Sequence, residues 1–400
     1  MKLIFYELRK NFLRKHVLVL LIVLSILDVM KIATDWYQGN IDTVVMESEE
    51  NHRAYTELYD SMKGNITSEK LQFLMQEEAR LGNIFDKNLN YNDPDELTYS
   101  GNLYEDYRIL EVYIAHDFYY MKDYKEYSEQ ITALAEENIA YYTEKNNELK
   151  ARENKYIAET YSNRRISQFY RTDCIQSYLK NYFSVVLMLF MSLLIVAPSF
   201  SGEYECHMSD ILATSRKGHE KSTWVKIVAS VCCSCLIVIW FSLLDLLTYE
   251  VICGFEGLEN PIWALESFQE SFLNCSILDF IIYEIELRLL GITAITMVIL
   301  LLSAALKKIV YVTLGFGVLC GGWYAASTYI FYLDKVQMLF GLWNPITLLC
   351  NVELYQGFCC IEWKQYFMME STMCILGNIL LIFIMFILVF VIKRRTDKCR

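Results

Sequence analysis

The chain has 400 residues, of which 54% are hydrophobic, and its formal net charge is −12. A mean hydropathy of +0.23 is too high for an ordinary soluble protein, yet the charged fraction of 21% is too high for a bundle of membrane helices alone, so polar and apolar residues must be segregated. Residues 31–180 hold 17 Lys and Arg against 28 Asp and Glu, which places nearly all of the excess charge in one segment. A basic patch typical of nucleic-acid-binding proteins is absent, and this excludes a nucleic-acid partner.

The first apolar run extends from Val17 to about Ala33 behind a basic N-terminal flank. It is long enough to cross a hydrocarbon core of about 30 Å as a helix. Asp35 and Trp36 follow the run in place of the small residues of a signal-peptide cleavage site, so we predict an uncleaved span. Basic flanks remain in the cytoplasm, so residues 1–33 are predicted to form a cytoplasmic N-terminus and the first transmembrane helix.

Residues 34–180 are polar and rich in Glu, Lys and Tyr. Apolar residues at helical spacing predict a domain of a few long helices, with a break at about Asn88–Gly101 where Asn, Asp, Pro and Gly cluster. Seven tyrosines on these helices fit either a binding surface or the core of a thin bundle: Tyr113, Tyr119, Tyr120, Tyr124, Tyr127, Tyr141 and Tyr142.

The chain has 13 cysteines, and none of them precedes Cys174. A disulfide framework within the polar domain is therefore not expected. Several cysteines could lie outside the membrane and form a bridge, although small buried hydrophobes are the favoured interpretation. These are Cys253, Cys275, Cys350, Cys359 and Cys360.

Five further apolar runs follow the polar domain: Tyr182–Phe200, Trp224–Ile252, Ile281–Leu306, Ile309–Tyr332 and Met373–Ile392. They are continuous rather than alternating, which indicates helices instead of barrel strands. Lys and Arg concentrate in residues 202–226, at Lys307 and Lys308 and at the C-terminus, whereas residues 253–286 contain neither. The positive-inside rule then predicts an all-α polytopic membrane protein with about six spans, both termini in the cytoplasm and a large helical extracytoplasmic domain, residues 34–180, between the first and second spans. Residues 181–400 are its five-helix transmembrane region.

The cytoplasmic loop after the second span is predicted to contain a short amphipathic helix at residues 203–218. Its apolar residues fall at positions i, i+3 and i+4, its acidic residues come first and its basic residues last, as the helix dipole favours, and a glycine ends it. The candidate residues are Glu203, Glu205, Met208, Ile211, Leu212, Arg216, Lys217 and Gly218. From the pattern alone, a connector lying on the membrane surface is an equal alternative.

This stretch resembles the cytoplasmic coupling helix of ABC-2 type transporter permeases. The resemblance is carried by Phe200, Glu203, Ile211, Leu212, Thr214, Ser215, Lys217, Gly218, Lys226 and Ile227. His207 and Met208 are bulkier than the small residue that the family often has at mid-segment. Residues 301–308 are similar to the short basic turn after the family's fourth span, and residues 342–346 are similar to an Asn-Pro segment that opens an external region before the last span. Together the matches cover most of residues 182–400, whereas residues 34–180 match only in position and size.

The resemblance implies a permease subunit that pairs with a second permease, identical or similar, and with cytoplasmic ABC ATPase subunits that receive the coupling helix. The chain has no G-x-x-x-x-G-K-[ST] sequence, so ATP hydrolysis is expected in the separate subunit and the chain itself is not expected to be an enzyme. We expect an exporter in a Gram-positive bacterial cell membrane. The alternative is a membrane-anchored receptor or surface-binding protein whose outer domain binds a ligand without transport.

Ionisable residues within spans are costly and need an explanation. Asp28 and Asp245 lie near the outer ends of their spans, and we interpret both as interfacial. Glu284 and Arg288 have the i, i+4 spacing of an intramembrane ion pair, which is more plausible as a structural pair than as a substrate contact. The five histidines lack metal-ligand spacing, and no catalytic motif occurs, so we expect neither a metal nor a cofactor.

Overall fold

A computed structural model describes residues 2–39, 48–87, 99–208, 218–329, 343–363 and 366–398. The chain is predominantly helical, and five helical segments are long and apolar enough to cross a membrane. They are Lys15–Tyr37, Asp173–Glu205, Lys221–Ile252, Ile277–Leu306 and Glu370–Arg394. The prediction of a helical protein with several membrane-spanning helices is confirmed at this level.

Helices at the N-terminus and in the polar domain alternate with short connections. They are α1 Lys2–Asn11, α2 Lys15–Gly39, α3 Glu49–Met62, α4 Ser68–Lys87, α5 Leu103–Leu110, a π-helical turn Glu111–Ala115, α6 His116–Glu144 and α7 Glu148–Tyr161. A two-stranded antiparallel ladder, β1 Gly64–Asn65 with β2 Gln168–Phe169, ties the beginning of the domain to its end. Of the predicted break at residues 88–101, residues 88–98 lie outside the described part of the chain, and α5 begins just after it at Leu103.

The membrane region follows with helices and one hairpin. They are α8 Asp173–Leu179, α9 Phe183–Val196, α10 Pro198–Glu205, α11 Gly218–Ile252, α12 Ile277–Leu306, α13 Ile309–Tyr329, α14 Pro345–Leu349, β3 Cys360–Trp363, β4 Tyr366–Met369 and α15 Glu370–Lys398. Helix α13 covers the described part of the predicted span Ile309–Tyr332, and residues 330–332 lie outside the described residues.

Helix α2 contacts the rest of the bundle along one stripe. Its buried residues recur every three or four positions, the spacing of one helix face: Val17, Leu21, Leu24, Asp28, Ile32 and Trp36. Most of its other large apolar side chains, such as Val19 and Ile26, are exposed and suit contact with lipid. The helix therefore packs on one side only, mainly against α9 and α11.

The second span is broken at Pro198, the first residue of α10, because proline has no N–H to continue the ladder of α9. Ser303 of α12 satisfies the backbone groups at the break: its hydroxyl donates to the Ala197 carbonyl at 2.6 Å and accepts from the Phe200 and Ser201 N–H groups at 3.1 and 3.0 Å. The buried Ser303 hydroxyl thus links the bend in the second span to the fourth span.

The two ends of the bundle differ in charge. At one end, which we call the basic end, Lys226, Lys307 and Lys393 surround the last turn of α10. At the other, which we call the domain end, the loop of residues 254–276 meets the polar domain and contains no Lys or Arg. Every short loop that was predicted to be cytoplasmic and is described here therefore lies at the same end of the molecule.

A disulfide between Cys174 and Cys253 joins the start of α8 to the end of α11 at the domain end. Of the two cysteines, only Cys253 was among those considered for a bridge. Cys174 was not among the candidate cysteines because it lies 79 residues before Cys253 in the chain, and only the fold brings the two together.

The polar domain is anchored to the 254–276 loop by Arg164. This side chain is 3% exposed and stacks between the rings of Tyr161 and Trp263, each centroid 4.3 Å from the guanidinium carbon. Its nitrogens donate to the Ser271 carbonyl at 2.7 Å and to Asn274 Oδ1 at 2.8 Å. A buried guanidinium needs such complete pairing, and here the pairing joins two parts of the chain that are far apart in sequence.

Tyr124 lies in the hydrophobic core of the polar domain and Tyr120 packs against it, as the bundle-core interpretation predicted, and both also contact the 254–276 loop. Tyr120 donates to the Trp263 carbonyl at 2.8 Å and Tyr124 to the Gln269 carbonyl at 3.0 Å, so both dock the domain onto the loop. By contrast, Tyr141, which lies near the far end of α6, is more than half exposed.

Replacing Arg164 with Ala should lower the free energy of unfolding by about 2–4 kcal/mol, because charged hydrogen bonds are lost and buried acceptors are left unpaired. Arg165→Ala is the matched control, since the neighbouring Arg165 is exposed. Thermal unfolding of the detergent-solubilised protein measures both. Equal effects of the two substitutions would contradict the anchoring role of Arg164.

Candidate functional site

The predicted coupling segment begins differently from the sequence expectation. Glu203 and Glu205 were expected to open a helix but lie in the last turn of α10, which ends at Glu205. Gly218 was expected to end a helix, yet α11 begins there. Met208 is exposed, and Ile211, Leu212, Arg216 and Lys217 lie outside the described residues. The acidic residues therefore belong to the second span.

Glu203 forms a buried ion pair with Lys226 of α11. Their side chains are 9% and 1% exposed, and Lys226 Nζ also donates to the Ser199 carbonyl at 2.9 Å. An acidic residue at the C-terminal end of a helix opposes the helix dipole, and the ammonium group of Lys226 offsets this. The pair joins the last turn of α10 to a position about two turns into α11, and so links the second and third spans.

The last turn of α10 also contacts the two remaining helices at the basic end. Glu205 Oε1 accepts the Ile309 N–H at 2.9 Å, which supplies a partner for the first turn of α13. Lys393 of α15 donates to the Tyr204 hydroxyl at 3.1 Å and lies 4.7 Å from the Phe200 ring centroid. We call this group the basic-end node; its members are Phe200, Glu203, Tyr204, Glu205, Lys226, Ile309 and Lys393.

A second polar cluster lies inside the bundle, nearer the domain end. Arg288 Nη2 is 2.5 Å from Glu284 Oε1 on the same helix, and both side chains are at most 1% exposed. Asn351 donates to the Glu284 backbone carbonyl at 3.2 Å, which attaches the chain after α14 to α12. The two residues therefore form a fully buried pair rather than a surface contact.

Asp28 and Asp245 complete this cluster, and their interfacial interpretation is wrong. Asp28 is 0% and Asp245 1% exposed, and their carboxyl groups contact each other across the interface of α2 and α11. One turn nearer the basic end, Trp240 Nε1 donates to Ser25 Oγ at 2.9 Å across the same interface. The position of Asp28 within the buried stripe of α2 was visible in the sequence and could have indicated this burial.

The Asn-Pro segment lies deeper than the external position predicted for it. Asn344 caps α14 by accepting the Ile346 N–H at 3.0 Å. A Cβ atom on Gly291, in the middle of α12, would approach the Pro345 carbonyl oxygen to 3.0 Å, so a larger residue there would require α14 to shift by a few tenths of an ångström. Helix α14 therefore packs against the middle of α12.

Two of the cavities along the junction of the polar domain and the bundle have linings rich in aromatic and acidic residues. One, of 380 Å³, has an aromatic and acidic lining that includes Tyr119, Tyr120, Asp123 and Glu266. The other, of 280 Å³, lies beside Tyr59, whose hydroxyl donates to Glu256. Burial raises the pKa of Tyr59, and the Glu256 carboxylate raises it further, so this hydroxyl remains a hydrogen-bond donor.

The chain matches no known protein family, no curated protein and no solved structure. The features of the molecule that bear on its function are therefore the two polar groups described above and the cavities at the junction.

Breaking the Glu203–Lys226 pair should be costly. Glu203→Gln or Lys226→Met alone should each lower stability by about 3–5 kcal/mol, since a buried charge loses its partner. The double variant should recover a large part of this loss, as a thermal-unfolding double-mutant cycle would reveal. Lys221→Met is the control because Lys221 is exposed on the same helix. Strictly additive losses would argue against a direct pair.

Proposed function

We propose that the chain is the transmembrane permease subunit of an ABC-2 type ATP-driven transporter, an exporter, that works with separate cytoplasmic ATPase subunits and a second permease subunit. The observation that carries the proposal is the basic-end node. The 206–217 segment emerges from a point at which α10, α11, α13 and α15 are all joined by charged or polar contacts. A force applied to this segment would reach four helices at once, as rigid-body switching of a bundle requires.

The proposed topology has six crossings, with the basic end in the cytoplasm. Helix α13 starts at the basic end, where its Ile309 N–H donates to Glu205. Helix α15 starts after the β3–β4 hairpin, whose Phe367 packs on Tyr156 of the polar domain. The chain must therefore return to the domain end between these helices, which supports α13 as a further span, the fifth in chain order and the one that brings the total to six. Basic residues at one end and none in residues 253–286 support the orientation.

The polar domain would lie outside the cell, as the Cys174–Cys253 disulfide at its base supports, because disulfides persist in oxidising compartments. Its anchoring through Arg164 makes it part of the transporter body. The 380 Å³ cavity at the junction supplies a place for substrate recognition or release. The same cavity is the feature that favours the alternative, a membrane-anchored receptor that binds a ligand without transport.

Two native cysteines test the orientation. Cys206 is exposed at the basic end and Cys359 is exposed beside the hairpin at the domain end. A membrane-impermeant maleimide should label Cys359 in intact cells and Cys206 only after permeabilisation. Cys206→Ser and Cys359→Ser identify the two signals in a mass-spectrometric readout, and the reverse pattern would overturn the topology.

The ATPase partner is tested by purifying the tagged chain from its native membrane and identifying associated proteins. An ATPase with a phosphate-binding loop is expected. The double substitution Ile211→Asp and Leu212→Asp should weaken its recovery at least tenfold, since each apolar anchor of an interface contributes about 2 kcal/mol. Lys221→Gln serves as the control. Recovery of intact assemblies without an ATPase would favour the receptor.

A further inference from the structure

We propose that Asp28 and Asp245 form a proton-binding site between the first and third spans, in which the two carboxyl groups share one proton. Asp28 lies on α2 and Asp245 on α11, and both side chains are buried. Each lies on the buried face of its helix, about one turn beyond the Trp240–Ser25 hydrogen bond that joins α2 to α11, so the packing of the two helices brings the carboxyl groups together. The site goes beyond the proposed transport function and does not depend on it.

The chemistry of the contact requires a proton. Neither oxygen of Asp28 has a hydrogen-bond donor among the described residues, and Oδ1 of Asp245 also has none. The group that Asp28 does meet is the Asp245 carboxyl, which when ionised is an acceptor only. Two acceptors form a hydrogen bond only if one of them carries the proton, as in paired carboxyl groups that titrate as a unit.

The charges around the two aspartates can stabilise one ionised carboxylate but not two. Among the described residues, Arg288 is the cation whose charge acts on the pair, and Glu284 already neutralises it at 2.5 Å. The other titratable groups that face the pair in the described part of the chain are Tyr178 on α8 and Tyr249 on α11, and neither supplies positive charge. With both aspartates ionised, the buried cluster would carry a charge of −2 away from water, which is strongly unfavourable.

Release of the proton would act on the α2–α11 interface. Two adjacent carboxylates repel each other, and α2 packs on one side only, so it is the helix that can separate from the bundle. The Trp240–Ser25 hydrogen bond lies in the same interface and would be strained by that separation. Proton occupancy would thus set how tightly the first span packs against the third.

The site is tested on the full chain in detergent micelles or nanodiscs. Infrared spectra at neutral pH should contain a protonated-carboxyl stretching band that disappears in Asp28→Asn and in Asp245→Asn. Glu286→Gln is the matched control, because Glu286 is exposed on α12 and should leave the band unchanged. Absence of the band from the wild-type protein would overturn the proposal whether or not the Asn variants fold.

A second measurement follows the folding equilibrium against pH. The folded protein would hold one proton more than the unfolded chain, so its folded-to-unfolded ratio should fall about tenfold further per pH unit than in either Asn variant as pH rises through neutrality. The same pH dependence in wild type and variants would overturn the proposal. The proposal would also be overturned if the stability changed with sodium or potassium concentration at fixed pH but did not change with pH. That result would indicate a cation site instead.

Discussion

The structure depends on one constraint: a polar group buried among membrane helices has no water to bind and must find its partner on another helix. Ser303 meets this constraint at the Pro198 break, and Lys226 meets it for Glu203 at the end of α10. Each contact that solves a local problem also joins two spans. The bundle is therefore held together by a few polar contacts at specific positions. Apolar side chains pack continuously between these positions.

The same logic extends to the polar domain, where water is available but the contacts with the bundle are buried. Arg164 could have been solvated on the surface of a free-standing domain; instead it stacks on Trp263 and donates to the loop between α11 and α12. The β1–β2 ladder and the Cys174–Cys253 bridge close the domain close to this junction. Movement of α11 and α12 would consequently reach the polar domain, whose cavities lie along the same junction.

The sequence alone predicts the membrane helices because the length of each apolar run gives the approximate length of its helix. The first run was predicted from Val17 to about Ala33, and the helix extends from Lys15 to Gly39. Contacts between distant residues were not predictable: Glu203 meets Lys226 across a loop, and Arg164 meets Asn274 from 110 residues away. Asp28 is an intermediate case. Its phase with Leu24 and Ile32 indicates burial, but only the fold shows that its neighbour is another carboxyl group.

The coupling segment itself remains a prediction at Ile211 and Leu212, which lie outside the described residues.

The two polar groups are connected through the same helices. Helix α11 carries Lys226 at the basic end and Asp245 about 28 Å along its axis, and α12 carries Ser303 and Arg288 at corresponding ends. A helix is stiff over this length, so a tilt imposed at the basic end would displace Asp245 relative to Asp28. Under the proposed function, an ATPase that pulls on the 206–217 segment would change the distance between the two carboxyl groups. Protonation of the pair would in turn favour one tilt of α11 over the other. Such coupling is reciprocal by thermodynamic necessity, because both events act on the same packing of α2 against α11.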